Sequence, residues 1–123
     1  MLRKPRYVIA VHDLQRSADY YRNVLGFDVH TIDDGGWLFF VKDECFIMAG
    51  ECPDALSPHD LGDHSYFAYL ESDDIETFYN AVVSRGAVVI KPIRTEAWGM
   101  REFGVRTADG HRIMFGCPTA AAG

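Results

Sequence analysis

The acidic and basic side chains that could do chemistry crowd one stretch, residues 98–116 (WGMREFGVRTADGHRIMFG). Asp109-Gly110 reads there as the tight turn of a hairpin, since both residues tolerate the positive φ such turns require. Strand alternation sends Met100, Glu102, Gly104 and Arg106 to one face and Arg101, Phe103, Val105 and Thr107 to the other. On the second strand Arg112, Met114 and Gly116 oppose Ile113 and Phe115. If Met114 faces a cavity, Glu102 is a cavity carboxylate and a candidate general base. If it does not, Glu102 is a rim residue in a solvated pair with Arg106 or Arg112. An ordinary amphipathic hairpin carries the same pattern.

The remaining reactive residues are scattered. None of His12, His30, His59, His64 and His111 has a neighbour at HxH or HExxH spacing. His12 precedes a helix and is expected to meet solvent, His59 falls in a linker, and His111 follows the hairpin turn. His64 beside Asp63 reads as a strand-edge histidine, and Glu51 as a loop carboxylate. Cys45 and Cys117 stand at strand ends as small core residues, and no Ser-His-Asp or Cys-His arrangement emerges.

The elements that must position these groups come in two similar series. A strand over Tyr7–Val11 leads through the N-cap Asp13 into a helix over 15–25, with Leu14, Ala18, Tyr21 and Leu25 on its apolar face and Gly26 as C-cap. Strands follow over 27–32, 37–41 and 45–49, the first two joined by the turn Asp33-Asp34-Gly35-Gly36. Residues 51–63 lack periodicity and read as a linker. The order then repeats with a strand over 65–70 and a helix opened by a capping-box spacing from Asp73 to Glu76. That helix buries Ile75, Phe78, Val82 and Val83 and ends at Gly86; a strand over 87–91, a loop over 92–97 and the hairpin complete the series. Asp13-Leu14 corresponds to Asp74-Ile75, and Gly26 to Gly86. The expected fold is α+β: tandem βαβββ repeats over about 6–50 and 64–117 forming a curved, mostly antiparallel sheet with a concave cavity, in one domain with a disordered tail at 118–123. Each half is too small to bury its own sheet face, so the halves must stack.

Composition narrows the function classes. The chain has 123 residues, 48% hydrophobic and 13% aromatic, which suits a single well-packed domain. A net charge of −6 without a basic run argues against nucleic acid. No apolar run approaches the ~20 residues of a membrane span, and the start is too short in apolar residues for a signal peptide. Three cysteines without CxxC exclude a disulfide framework and fit a reducing, cytoplasmic setting.

On VHDLQRSADYYRNVLGFDV in the first half, ESDDIETFYNAVVSRGAVV in the second and REFGVRTADGHRIMFG at the close, the chain resembles the vicinal oxygen chelate superfamily. That family includes glyoxalases, extradiol dioxygenases, and fosfomycin- and bleomycin-resistance proteins. GGWLFFVKDECFIMAG and TEAWGMREFGVRTADGH are most similar to the bleomycin-resistance branch, which binds its ligand and does no chemistry. Enzymes of the family hold a divalent metal on four cavity positions, which the resemblance places here at Arg6, Met48, Phe67 and Met114. Guanidinium, phenyl and two thioethers are not ligands for a hard divalent metal. The resemblance thus implies a cofactor-free binding protein that sequesters an aromatic or amphipathic molecule, acts as a homodimer and has antibiotic resistance as a family role. Its cavity would be lined by Trp37, Phe39, Phe46, Met48, Phe67, Tyr69, Trp98, Met100, Glu102 and Met114. The acidic balance favours a cationic guest, and the loop ending at Ala97 would let Trp98 close over it. The competing expectation is a metal-dependent lyase, isomerase or dioxygenase with non-standard ligands such as His64, Glu51 and Glu102.

Overall fold

The repeated order of elements gives two sheets of identical connectivity. In the computed structural model, which describes residues 1–31 and 35–119, the first repeat runs β1 (Tyr7–Val11), α1 (Leu14–Tyr20), β2 (Asp28–Thr31), β3 (Trp37–Lys42) and β4 (Cys45–Glu51). The second runs β5 (Tyr66–Glu71), α2 (Ile75–Ser84), β6 (Val88–Thr95), β7 (Met100–Arg106) and β8 (Arg112–Pro118). The sheet orders are β1-β4-β3-β2 and β5-β8-β7-β6. In each, the first strand lies parallel to the last and the other neighbours are antiparallel. The α+β architecture of tandem βαβββ repeats is the one the sequence predicts, realised as two four-stranded sheets.

Local chemistry accounts for the helices. Asp13 caps α1 by accepting from the Arg16 backbone N–H at 3.2 Å. The helix continues as a wider π turn through Tyr21–Leu25 and stops at Gly26, whose φ of 80° suits glycine. The second cap is Asp74, not Asp73: its carboxylate takes the Thr77 N–H at 3.2 Å and the Thr77 hydroxyl at 2.8 Å. Leu14, Ala18, Tyr21 and Leu25 are all buried, as are Ile75 and Val82, whereas Val83 faces out.

One core serves both repeats. Phe40 and Ile47 of the first belong to the same buried cluster as Phe103, Val105, Ile113 and Phe115 of the second. Tyr21 stacks on Phe40 at 4.4 Å, and Phe103 packs between Tyr79 at 4.9 Å and Phe115 at 5.3 Å. Polar ties cross the junction as well. The buried Asp109 carboxylate accepts from Ser17 Oγ at 2.6 Å and pairs with Arg16 at 3.2 Å.

Several connections differ from expectation. Arg106 pairs with Arg112 across β7 and β8, so five residues, 107–111, turn the chain and Asp109-Gly110 is not a two-residue hairpin. β6 runs straight through Pro92, where a loop over 92–97 was expected. Proline is tolerated because β6 is an edge strand and its pairing with β7 is irregular between Lys91 and Arg94. The real turn is residues 96–99, closed by the Gly99 N–H donating to the Glu96 carbonyl at 3.1 Å. The linker includes a short 3₁₀ turn, Pro58–Leu61, and is pinned. Buried Arg112 donates to the Pro58 carbonyl at 2.7 Å and to Asp63 at 2.9 Å. His12, expected in solvent, lies 2.7 Å from the Ala55 carbonyl through Nε2. Of the expected disordered tail, Pro118 ends β8 and the Thr119 N–H donates to the Gly99 carbonyl at 2.9 Å. The Asp33-Asp34 part of the first turn and tail residues 120–123 lie outside the described residues.

His111 sits at the same junction, edge-on to Phe67 at 5.6 Å, bonded to the Ala10 backbone and with Nδ1 buried and unpartnered. Burial pushes its pKa below the ordinary 6.5, with Arg112 and His59 adding to the fall and Asp109 opposing it. The fold therefore prefers the neutral ring while the unfolded chain takes up the proton first. Its contribution to stability is complete above about pH 6.5 and is lost as pH falls below that value. Urea midpoints measured at pH 7.5 and 5.5 should drop on acidification, and drop less in His111→Gln. Equal drops in the two proteins would assign the acid sensitivity elsewhere.

Candidate functional site

Because the helices cover one face of each sheet, the other face of every strand points away from the core. On the second sheet that outward face carries a polar centre. Glu102 on β7 is only 3% exposed, and three donors converge on its carboxylate. Lys91 Nζ donates to Oε2 at 2.6 Å, while Tyr69 Oη and Trp98 Nε1 donate to Oε1 at 3.0 and 3.1 Å. Lys91 also lies 3.6 Å from Glu96, which pairs in turn with Arg94.

The strands set this geometry through register and clearance. Lys91 is opposite Gly104, and Glu102 opposite Gly116, so side chains from the flanking strands can lean over both glycines. A methyl group at Gly104 would stand 2.8 Å from the Tyr66 hydroxyl, and one at Gly116 would overlap that of Tyr69. Trp98 comes from the 96–99 turn; the residue is 65% exposed, and Lys91 Nζ lies over its ring 5.5 Å from the centroid.

Burial pushes the Glu102 pKa up, but the hydrogen bonds from Lys91, Trp98 and Tyr69 and the Lys91 charge outweigh it and leave the carboxyl below its usual range. Burial and the Glu102 charge raise the Tyr69 pKa, keeping its hydroxyl protonated as a donor. An ionised carboxylate occupied by three donors is poorly arranged to take a proton from a substrate. The expected partners also change. Arg106 and Arg112 bond Asp63 at 2.5 and 2.9 Å instead of Glu102, and their hydrogen bonds lower the Asp63 pKa.

Across β1, β4 and β3 the first sheet's outward face is apolar, with Asp28 and His30 of β2 at its edge. Val8, Met48 and Phe39 lie side by side across β1, β4 and β3, and Phe39 packs on Phe46 at 4.8 Å. Trp37 lies over Gly50 and lines a pocket of about 350 Å³ with Val8, Ala10 and Cys52. The Arg6 guanidinium sits 4.5 Å above the Phe46 ring.

The ten expected lining residues therefore fall into separate groups. Tyr69, Trp98 and Glu102 touch, and Met114 pairs in register with Tyr69. Met100 stands two residues before Glu102, at the start of β7. Trp37, Phe39, Phe46 and Met48 belong to the other sheet. Phe67 leaves the set: a register shift between Tyr66 and Ala68 turns it edge-on to Tyr7 at 6.0 Å, against the core. Of the ten, only Phe46 and Tyr69 reach the larger cleft, about 910 Å³, whose walls include Tyr7, Phe27, Phe78 and Phe115. Asp43, Glu44, Glu71 and Asp73 rim it against a single cation, Lys42. Sequence reasoning missed this cleft, which depends on how the repeats pack. It also missed the roles of Lys91, which the expected strand already contained, and of Glu96, which lies in the turn after β6; register shifts on either side of Lys91 take this stretch out of simple alternation.

The residues at the four positions that the resemblance assigns to a metal do not fit a divalent ion. Arg6 is engaged with Phe46, Phe67 is packed, and Met48 and Met114 offer thioethers. The substitutes are dispersed as well. Glu51 accepts the Leu14 N–H at 3.2 Å at the start of α1, Glu102 is held by its donors, and His64 is exposed in a turn. Among the described residues no three His, Cys, Asp or Glu side chains gather as a metal site. Cys45, Cys52 and Cys117 are free thiols, and burial raises the Cys45 pKa, which argues against a thiolate nucleophile there.

A family model described as Glyoxalase/Bleomycin resistance protein/Dioxygenase superfamily matches residues 4–115. No curated protein matches the chain. Among solved structures, the fold is similar to TnmS3, an antibiotic binding protein from Streptomyces sp. CB03234, at a TM-score of 0.72 and 20% identity over 97% of this chain and 99% of that one. It is similar to TioX from Micromonospora sp. ML1 at 0.70 and 20% identity over 93% and 98%. A glyoxalase-related enzyme from Clostridium phytofermentans gives 0.77 and 17% identity over 96% of both chains. No helix among the described residues is long and apolar enough to cross a membrane.

Proposed function

The chain belongs to the glyoxalase/bleomycin resistance protein/dioxygenase superfamily, and on that premise we propose that it is a metal-independent binding protein that sequesters an aromatic or amphipathic small molecule. The observation that carries this reading is the indole of Trp98, exposed yet anchored to a buried carboxylate on the outward face of the second sheet. A large exposed aromatic ring held in place suits a stacking contact better than a core role. Trp37, Phe39, Phe46, Met48, Tyr69, Met100 and Met114 would extend the apolar surface. The antibiotic-binding description of TnmS3 supports the reading, and the glyoxalase-related enzyme marks the alternative. The donor set at the metal positions favours binding over metal-dependent turnover.

We further propose a homodimer. Val8, Trp37 and Val88 are exposed on strands of the two sheets, and a second copy would cover part of that surface by two-fold pairing.

Elemental analysis of purified, untagged protein should find no stoichiometric Zn, Fe, Mn or Ni; about one tightly held equivalent per chain would overturn metal independence. Light scattering at micromolar concentration should return about twice the chain mass of 13.9 kDa, and the monomer mass would refute the dimer. A thermal-shift screen of planar and amphipathic compounds supplies a ligand for a paired test. Trp98→Ala should weaken binding of a hit by ~1–3 kcal/mol and leave the urea midpoint nearly unchanged. Phe103→Ala, fully buried, should cost ~3–5 kcal/mol of stability through a core cavity. Equal destabilisation by the two would place Trp98 in the scaffold.

A further inference from the structure

We propose that Glu102 is a positioning residue whose carboxylate fixes the plane of the Trp98 indole, so that a preformed stacking surface faces outward before any ligand arrives. The inference rests on the reading of Trp98 as a ligand contact, but its physical basis lies within the second sheet.

A tryptophan at a hairpin turn, 65% exposed, has little packing to select a rotamer. Here the one polar atom of the ring is committed: Nε1–H donates to Glu102 Oε1 at 3.1 Å, four residues away across the turn. The acceptor is ionised, and hydrogen bonds to charged acceptors are shorter and stronger than neutral ones. The acceptor itself is held still. Glu102 sits within β7, 3% exposed, with Lys91 at 2.6 Å on Oε2 and Tyr69 at 3.0 Å on Oε1. Tyr69 in turn reaches the carboxylate by lying over Gly116, where any side chain would exclude its hydroxyl. The chain of constraint runs from the sheet to the carboxylate to the indole.

Lys91 sets which ring face is available. Its ammonium bonds Glu102 while lying over the indole, 5.5 Å from the centroid, so that face is occupied and a flat guest has the opposite one. Binding then needs no ordering of the platform, a cost that mobile side chains impose on association. This role uses Glu102 as a fixed acceptor and requires no proton transfer.

The test needs no ligand. In ¹⁵N-labelled wild type the two indole N–H signals come from Trp37 and Trp98. The Trp98 Nε1–H should exchange with water about tenfold more slowly than an unbonded exposed indole, the factor expected for one net hydrogen bond. Exchange at the unbonded rate would overturn the proposal. In a Trp37→Phe background, where Trp98 is the sole tryptophan, time-resolved fluorescence anisotropy reports its motion within the folded protein. Glu102→Met, which removes the acceptor at similar length, should add a fast depolarising motion, and Glu102→Gln, which keeps a carbonyl acceptor, should restore part of the rigidity. Unchanged anisotropy in both variants would overturn the proposal. If Glu102→Met does not fold, wild-type exchange and Glu102→Gln decide: slow exchange in wild type with intermediate mobility in the Gln variant supports the role, and either result reversed refutes it. A protected indole together with a silent ligand screen would count against the binding reading and leave the Glu102–Trp98 assignment standing.

Discussion

A four-stranded sheet has two faces, and each repeat has one α-helix with which to cover them. That constraint organises the molecule. Each sheet places the face carrying Ile9, Ile47 and Phe40, or Ile113, Phe115 and Phe103, against its helix and the shared core. Neither half closes this core alone, and Asp109 reaching back to Ser17 and Arg16 shows the junction being held by polar contacts as well. With one face committed, every second residue of each strand is released to face outward. Phe103 and Glu102 are chain neighbours, and the pleat alone separates scaffold from site.

A nearly buried carboxylate on that outward face is costly unless its charge is met. The sheet meets it with groups from three places in the chain: Lys91 on β6, Tyr69 on β5 and Trp98 in the turn between β6 and β7. Each requires its own backbone detail. Lys91 arrives because the irregular pairing of β6 sets it opposite Gly104, which has no side chain in its way. Tyr69 arrives because Gly116 has no side chain to exclude it. Trp98 arrives because the turn is only four residues long. The carboxylate is thus a consequence of the sheet's geometry and also the reason two exposed aromatic side chains hold fixed positions.

Much of the fold was legible because it depends on local periodicity. Asp13 and Gly26 mark the ends of the first helical segment, Leu14, Ala18, Tyr21 and Leu25 mark its buried stripe, and alternation along β7 and β8 assigns both faces correctly. What escaped was set by non-local pairing. Pro92 reads as a breaker from sequence, yet on an edge strand its missing N–H disrupts no interior ladder. Asp109-Gly110 reads as a two-residue turn, yet the Asp109 side chain is drawn into the interface with α1 and the turn widens to accommodate it. Phe67 reads as an outward residue until the register shift before Ala68 rotates it inward. The partners of Glu102 escaped for the same reason, since charge spacing along one strand says nothing about the strand beside it.

The distribution of satisfied and unsatisfied groups bears on the kind of chemistry this surface supports. General acid–base work needs a group with a vacant position toward the substrate and a pKa near the working pH. Glu102 has its oxygens engaged and its pKa lowered, while Tyr69 has its proton engaged and its pKa raised, so their environments pull both away from neutrality. The exposed apolar groups are in the opposite condition: the outer indole face and the ring of Trp37 have surface to offer, and the partly buried Met48 and Met114 add polarizable, adaptable side chains. A guest held by such groups gains from apolar burial and stacking without displacing any hydrogen bond of the polar centre beneath. On the proposed reading, the interactions that remove Glu102 from catalysis are therefore the ones that prepare the surface for binding.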